Sequence, residues 1–185
     1  YALARAARRR GAEVLLVSGP THLAAPPGVE LIRVQTAAEM LQTVEAHFRS
    51  VSVVVKAAAV SDFRPAECAG HKIKKAAAAP HLHLAPNEDI LARLGQLKKE
   101  TDSPPLLVGF AAESHNLLAE GLRKLREKNL DLLAVNNILS EDAGFATDTN
   151  RLLLIDRNEN QEELPLLSKE ETADRLWDRI LPLLT

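Results

Sequence analysis

The alternation of apolar runs with helix-forming segments constrains the fold of this chain more strongly than any other feature. Short apolar runs typical of buried strands occur at residues 13–18, 29–34, 51–60, 106–112 and 130–136. Segments of helical character lie between and after them, at residues 1–11, 36–48, 89–99, 115–128 and 169–184. Strands that alternate with helices of this length predict a mostly parallel sheet with helical crossovers, and therefore an α/β fold.

Three segments interrupt this alternation. Residues 151–156 and 163–167 predict a C-terminal β-hairpin across a turn at 157–161. Residues 63–86 and 139–150 are irregular, and a connection as long as 63–86 is typical of a functional flap or of disorder, so we predict a flexible flap there. The length of 185 residues, with no linker and no internal repeat, predicts a single domain over residues 1–185.

Composition excludes several classes of protein. The only cysteine, Cys68, cannot form an internal disulfide and indicates a reducing compartment, so we expect a cytoplasmic protein. No apolar run reaches the roughly 18 residues that span a bilayer, which disfavours a membrane protein. A net charge of −2 and 3% aromatic residues disfavour nucleic-acid binding. Because the first predicted helix already begins at Tyr1, we expect the chain to be a fragment of a longer domain.

The common nucleotide-binding and metal-binding motifs are absent from these residues. Neither GxGxxG nor GxxxxGK[ST] occurs. Cys68 with His71, and His81 with His83, offer two metal ligands each but no third, so an incidental loop thiol and an exposed strand are the simpler interpretations. No metal site is predicted from these pairs.

Two segments place small or acidic residues where a ligand could bind. Residues 57–62 (AAAVSD) follow a predicted buried strand, and parallel sheets bind ligands at the carboxyl ends of their strands. Small side chains there would let a ligand approach the backbone, and Asp62 could accept hydrogen bonds from its hydroxyl groups. Residues 109–114 (GFAAES) repeat this pattern with Phe110, which could pack against a nucleobase. Close helix–sheet packing, with Asp62 as a helix cap and Phe110 in the core, remains the alternative.

Two sets of lysines could neutralise an anion. Lys72, Lys74 and Lys75 lie in the predicted flap, where mobile ammonium groups could close over a triphosphate. Lys124 and Lys128 are four residues apart on a predicted helix and therefore share one face. In both cases an ordinary solvated basic surface remains the alternative.

Taken in chain order, a set of segments resembles one family. The segments are AAAVSDFRP, KIKK, NEDIL, VGFAAES, KNLDLLAVN and GFATDTN, after an opening that contains YALA and RRGAEVLLVSGPTHL. Together they resemble the phosphopantothenoylcysteine synthetase domain of the bacterial bifunctional coenzyme A biosynthesis flavoproteins, over nearly the whole chain. The resemblance implies a Rossmann-like, three-layer domain that works as a homodimer and is fused to a decarboxylase domain in the full-length protein.

The resemblance also implies a reaction. The family joins 4′-phosphopantothenate to cysteine with CTP and Mg²⁺, through an acyl-cytidylate intermediate that releases pyrophosphate and then CMP. FMN would belong to the decarboxylase half, which these residues do not include. The Asn-rich and Gly-rich segment that the family uses to convert the acyl-cytidylate lies before the position of Tyr1.

Carried onto matching positions, the resemblance implies a set of site residues. Lys72 would be the catalytic flap lysine, meeting the triphosphate or the acyl-cytidylate. Phe110 would pack against the nucleotide, and Lys124 with Lys128 would neutralise its phosphates. The other nucleotide-binding positions would be Lys56, Ala57, Ala58 and Asp62 at the strand end, and Glu88, Asp89, Ile90 and Leu91 bordering the cytidine. Glu88 stands where the family usually has proline, and Lys56 where it has an apolar residue.

Two other functions remain open from the residues alone. The first is a non-catalytic nucleotide-binding or assembly domain of Rossmann type, which would bind nucleotide without releasing pyrophosphate. The second is a nicotinamide-dependent oxidoreductase. The absence of a Tyr-x-x-x-Lys pair disfavours the oxidoreductase, since Arg5 follows Tyr1 four residues later.

Overall fold

The computed structural model describes residues 1–72, 81–137 and 149–184. Five α-helices are present in these ranges: α1 (Ala2–Arg9), α2 (Ala37–His47), α3 (Ile90–Lys99), α4 (Leu117–Glu127) and α5 (Lys169–Ile180). The strands are β1 (Leu15–Ser18), β2 (Glu30–Arg33), β3 (Val53–Lys56), β4 (Phe63–Pro65), β5 (Leu84–Pro86), β6 (Leu106–Glu113), β7 (Leu132–Asn137), β8 (Thr149–Asn150), β9 (Leu152–Asp156), β10 (Gln161–Glu163) and β11 (Leu167–Ser168). Short 3-10 helices follow α2 at Phe48–Ser50 and α5 at Leu181–Leu184.

The largest sheet has the strand order β10-β9-β7-β6-β3. Strands β3, β6 and β7 are parallel, and β9 adds to β7 in the antiparallel direction. The predicted α/β fold with a mainly parallel central sheet is therefore confirmed. Strands β1 and β2 pair in parallel as a separate two-stranded sheet.

The predicted C-terminal hairpin is present, with a different second strand. Strand β9 pairs antiparallel with β10, at Gln161–Glu163. The second strand predicted at residues 163–167 was misplaced, because the observed strand ends at Glu163, and Leu167 and Ser168 pair instead with Asn150 and Thr149 of β8.

The five-stranded sheet is covered on both faces, which explains why its strands are apolar at consecutive positions. On one face, core residues of β6, β7 and β9 pack with α2, α3 and α4: Leu107, Leu133, Val135, Ile155, Leu41, Leu94 and Leu125. On the other face, the alternate strand residues pack with α5: Val108, Leu132, Ala134, Leu154, Leu176 and Ile180. Helix α1 packs against α5, so helices form layers on both sides of the sheet.

Side-chain caps fix where three helices begin. The Thr36 hydroxyl accepts the Glu39 N–H at 3.1 Å, as the sequence pattern predicts. Ser168 and Glu171 form a complete capping box at the start of α5. Asp89 caps α3 by accepting the Ala92 N–H at 3.1 Å, and this cap holds its carboxylate at the carboxyl-end edge of the sheet.

Two predicted segments differ in detail. The strand predicted at 51–60 is shorter, because its pairing with β6 ends at Lys56 opposite Gly109; Ala57, Ala58 and Ala59 follow it as exposed irregular chain. The predicted flap begins and ends as an antiparallel pair, β4 with β5. Residues 73–80 of the flap and 139–148 of the second irregular segment lie outside the described residues. None of the described helices combines the length and the apolar character needed to cross a membrane.

Candidate functional site

A cavity of about 500 Å³ lies at the carboxyl ends of β3, β6 and β7. Three parallel strands end at the same edge of the sheet, so the residues that follow them meet there. Eight of the residues implied by the resemblance line this cavity: Lys56, Ala57, Ala58, Asp62, Leu91, Phe110, Lys124 and Lys128. Segments more than 70 positions apart in the sequence therefore form one site.

Two of the cavity lysines are held by carboxylates from other elements. Lys124 of α4 forms an ion pair with Glu113 at the end of β6. Lys128 Nζ lies 2.6 Å from Asp89 Oδ2. Burial alone would raise the pKa of Asp89, but the Lys128 ammonium and the Ala92 N–H hold that pKa below its ordinary value. Both ammonium groups are thereby oriented before any ligand binds.

Lys56, unlike Lys124 and Lys128, is not held by a carboxylate in the part of the chain that the structure describes. Within the described ranges it forms no ion pair, and its side chain ends β3 in a half-buried position. Burial lowers the pKa of Lys56, and Lys128 lowers it further, whereas Asp89 and Asp62 act in the opposite direction. An anion in the cavity would stabilise the charged form of this side chain.

Close packing of α3 on the end of α4 fixes the position of Lys128. A Cβ atom at Gly95 would lie 2.0 Å from the Lys128 carbonyl oxygen, so only glycine permits this approach. The Asn129 side-chain amide donates to the Gly95 carbonyl oxygen at 3.2 Å across the same contact. Asn129 itself has a φ of 52°, a left-handed conformation that asparagine tolerates better than most residues.

The wall of the cavity next to α5 contains polar residues that the sequence reasoning did not select. Asn136, Asn150 and Thr172 line it, together with Phe110. Asn136 Oδ1 and Thr172 Oγ1 are buried, and neither has a hydrogen-bond partner among the described residues. The pair of asparagines that ends the apolar run LLAVNN is the sequence signal that could have identified Asn136. Thr172 gave no signal, because an isolated threonine in a helix is common.

The remaining implied site residues lie outside the cavity lining. Ile90 is 2% exposed and packs in the core, which leaves its backbone rather than its side chain for a ligand. Glu88 and Lys72 are exposed and do not line the cavity, and Asp89 reaches it through its contact with Lys128. Lys74 and Lys75 lie outside the described residues. The roles of these side chains stay predictions.

The acidic residues at the cavity are few. Among the described residues, no group of three or more His, Cys, Asp or Glu side chains could hold a metal ion. Mg²⁺ in nucleotide sites is usually bound by one or two carboxylates together with the phosphates of the substrate. Asp62, an exposed carboxylate in the lining, fits that limited requirement.

A second cavity, of about 370 Å³, follows the carboxyl ends of β1 and β2. Its lining includes Arg33 and His22 but none of the residues implied by the resemblance. We therefore assign the candidate site to the larger cavity.

Comparisons with known proteins agree on one family. Residues 1–183 match the model of the DNA/pantothenate metabolism flavoprotein C-terminal domain. The chain is 40% identical over 184 residues to the coenzyme A biosynthesis bifunctional protein CoaBC of Bacillus subtilis (strain 168). The aligned region covers 99% of this chain and 44% of that relative. The chain thus spans less than half the length of this curated relative.

Solved structures share the fold. A crystal structure of the C-terminal domain of a coenzyme A biosynthesis bifunctional protein CoaBC matches with a TM-score of 0.81 and 36% identity, covering 100% of this chain and 81% of the other. A Cab2 mutant in complex with phosphopantothenate-cysteine matches with a TM-score of 0.61 and 18% identity, covering 85% of this chain and 53% of the other. At that identity the likeness concerns the fold alone.

Proposed function

Because this chain belongs to the family of the DNA/pantothenate metabolism flavoprotein C-terminal domain, we propose that it forms the ligase domain that joins 4′-phosphopantothenate to cysteine in coenzyme A biosynthesis. CTP is the proposed activating nucleotide, and an acyl-cytidylate is the proposed intermediate. The observation that carries the proposal is the convergence of Lys56, Lys124 and Lys128 on one cavity at the carboxyl ends of parallel strands. Three ammonium groups suit a triphosphate better than they suit a neutral ligand.

The cavity supports a reaction that needs no protein nucleophile. In the proposed first step, the carboxylate of 4′-phosphopantothenate attacks the α-phosphorus of CTP, and pyrophosphate leaves. In the second step, the amine of cysteine attacks the activated carbonyl carbon and loses a proton, the amide bond forms, and CMP leaves. Fixed cations that stabilise phosphate charge and hold both substrates together account for catalysis of this kind.

The positions of individual residues in the cavity suggest their roles. Lys124 and Lys128 would neutralise the phosphates, exchanging their contacts with Glu113 and Asp89 for contacts with the nucleotide. Ala57 and Ala58, exposed after β3, leave room for the nucleotide beside the backbone. The N-terminus of α3, with Glu88, Asp89, Ile90 and Leu91, would border the cytidine. Phe110 would pack against the nucleotide from its place in the lining.

Lys72 is proposed as the catalytic lysine of the flap. Lys72 is exposed in the chain that follows β4, and in the proposed mechanism its ammonium group moves toward a bound triphosphate. Such closure would place a further positive charge on the reacting phosphates and exclude water.

Mg²⁺ and FMN have different proposed places. Asp62 would hold Mg²⁺ together with the phosphates of the nucleotide, and the ion would neutralise charge as pyrophosphate leaves. We assign FMN to a decarboxylase domain that is fused to this one in the full-length protein. None of residues 1–185 is proposed to bind FMN. We propose residues 1–185 as part of a single, cytoplasmic ligase domain.

A second copy of the chain is the proposed partner of the flap. The β4–β5 pair and the residues just before β5 carry three large apolar side chains that are exposed: Phe63 at 57%, Leu82 at 70% and Leu84 at 56%. Exposed apolar side chains grouped in this way mark interaction surfaces. A homodimer would cover them, and light scattering of the Leu82→Asp variant should then report a smaller particle than the wild type.

Pyrophosphate release tests the ligase directly. The full-length protein should release pyrophosphate when it is mixed with CTP, 4′-phosphopantothenate and Mg²⁺, and should release CMP only after cysteine is added. ATP in place of CTP tests the choice of nucleotide. A folded protein that binds CTP but releases no pyrophosphate would support the non-catalytic nucleotide-binding domain instead.

Substitution of Lys72 separates catalysis from folding. Lys72→Met should reduce turnover strongly and leave the melting temperature unchanged, because the exposed side chain contributes nothing to the core. Lys99→Met is the matched control, since Lys99 is an exposed lysine at the end of α3 that is not part of the cavity lining. Equal losses of turnover in the two variants would refute the role of Lys72.

A further inference from the structure

We propose that Lys56 is a positioning residue, which takes over the carboxylate of Asp89 when Lys128 turns from Asp89 to the phosphates of a bound nucleotide. This inference rests on the proposed function, because it needs a nucleotide in the cavity. It deepens that function by giving Lys56 a role that requires no contact with the nucleotide. In this exchange Asp89 has one ammonium partner both before and after the nucleotide binds.

Both carboxylate oxygens of Asp89 are engaged, but in different ways. Oδ1 accepts the N–H of Ala92 at 3.1 Å, a contact with the backbone that begins α3. Oδ2 lies 2.6 Å from Lys128 Nζ, at the end of a long and flexible side chain. When Lys128 turns to a phosphate, Oδ2 therefore loses its only ion-pair partner among the described residues. The unpaired carboxylate would then repel the anionic ligand beside it.

Lys56 lies on the face of the sheet against which this ion pair packs. It is paired with Gly109 in the parallel register of β3 and β6, and directly paired residues of neighbouring strands point to the same face. On that face a Cβ atom at Gly109 would lie 2.9 Å from Leu91 and 2.9 Å from Leu130. These two leucines follow the carboxylate and the ammonium of the ion pair by two residues each. The half-buried side chain of Lys56 thus has the ion pair as its neighbour.

The charges around Lys56 favour the exchange. Burial is the main cause that lowers the pKa of Lys56, and of the two carboxylates that raise it, Asp89 acts more strongly than Asp62. The charge of Lys128 also lowers the pKa of Lys56, so the two ammonium groups repel each other. Departure of Lys128 toward a phosphate removes this repulsion and leaves the attraction of Asp89. Lys56 then approaches Asp89.

A double-mutant cycle separates this role from direct contact with the phosphates. The two substitutions are Lys56→Met and Asp89→Asn, and calorimetric titration of the full-length protein with CTP and Mg²⁺ gives each dissociation constant. Asparagine is as good a helix cap as aspartate, so Asp89→Asn removes the charge and keeps the cap on α3. Without 4′-phosphopantothenate, no turnover disturbs the titration.

The effect of Lys56→Met should depend on the residue at position 89. In the otherwise wild-type protein we expect it to raise the dissociation constant for CTP about fivefold, the effect of one partly exposed ion pair. In the Asp89→Asn protein the same substitution should raise that constant less than about twofold, because no carboxylate is left to neutralise. Lys56→Arg should restore the wild-type affinity to within about twofold, because it keeps the positive charge.

Glu113→Gln is the matched control background. Glu113 holds the other lysine of the cavity, Lys124, in an ion pair of the same kind. Its carboxylate comes from β6 and has no part in the exchange between Lys56 and Lys128. Lys56→Met should therefore raise the dissociation constant about fivefold in the Glu113→Gln protein as well.

A crystal structure of the full-length wild-type protein with CTP gives a measurement that does not depend on the folding of any variant. We expect Lys56 Nζ within hydrogen-bond distance of the Asp89 carboxylate and Lys128 Nζ on a phosphate. A structure in which Lys128 still binds Asp89 while CTP occupies the cavity would overturn the proposal.

Two results of the titrations would also overturn it. Equal losses of affinity in the wild-type and Asp89→Asn backgrounds would mean that Lys56 contacts the nucleotide directly, and no loss in either would mean that it does not act in binding. A wild-type protein that binds no CTP would remove both this proposal and CTP as the proposed nucleotide. Normal pyrophosphate release by the wild type together with equal losses would remove this proposal alone.

Discussion

The substitution Gly95→Ala tests the contact that positions Lys128 in the cavity. The added methyl group would lie 2.0 Å from the Lys128 carbonyl oxygen and 2.8 Å from its carbonyl carbon. Both atoms belong to the backbone, so neither can rotate away as a side chain would. Helix α3 must therefore move away from the end of α4, and Lys128 must move with that end.

The expected change in the free energy of unfolding combines two opposing effects. Alanine is a better helix former than glycine by up to about 1 kcal/mol, which would stabilise α3. Overpacking of a close contact lowers the free energy of unfolding by roughly 1–3 kcal/mol. Because the contact partner of Gly95 is rigid backbone, we expect the loss at the upper end of this range. We expect a net loss of about 2 kcal/mol, which lowers the melting temperature of a domain of this size by roughly 4–8 °C.

Thermal unfolding and CTP titration of the full-length protein measure the two consequences. Gly95→Ala should unfold at a lower temperature and bind CTP more weakly, because Lys128 is displaced. Gly19→Ala is the control, since a Cβ atom at Gly19 meets nothing within 4 Å and its φ is not positive. If Gly95→Ala is as stable as the wild type, as helix propensity alone would predict, the close contact does not exist in solution.

Three further substitutions test the core, the cavity and the α1–α5 contact. Asp131→Asn should lower the free energy of unfolding, measured in urea, by about 3 kcal/mol, because the buried Asp131 carboxylate binds Lys98 Nζ at 2.5 Å. A loss below about 1 kcal/mol would contradict a buried ion pair. Lys56→Met should weaken CTP binding. It should not lower the melting temperature, because burial lowers the pKa of Lys56, so that the charged side chain destabilises the fold. If the variant binds CTP as tightly as the wild type, Lys56 is not part of the site. The hydrogen bond from Arg5 lowers the pKa of Glu170, so the carboxylate stabilises the fold above its ordinary pKa of about 4.3, and this stabilisation is lost as the pH falls through the lower folded value. Glu170→Gln should therefore flatten the acid side of the stability profile, and an unchanged slope would contradict the assignment.

Local features of the fold were predictable from the sequence, because they depend on residues close together in the chain. The cap of Thr36 on α2 involves atoms three residues apart, and the apolar runs that become β6 and β7 need only short stretches of sequence. The end of β3 was not predictable in this way. Residues 57–60 continue the apolar run, but the strand ends at Lys56, where its partner β6 continues beside β7 alone.

The candidate site also has features that short stretches of sequence predict and features that depend on distant contacts. The residue types at the strand ends could be read from the sequence, and eight of the residues implied by the resemblance line one cavity. Three features of the site depend on the packing of distant segments: Glu113 and Asp89 hold Lys124 and Lys128, Lys56 has no such carboxylate among the described residues, and Thr172 lines the wall next to α5. Helical periodicity and capping act over a few residues, whereas an ion pair or an unpaired hydroxyl depends on the register of strands and on helix packing, which bring together residues that are far apart in the chain.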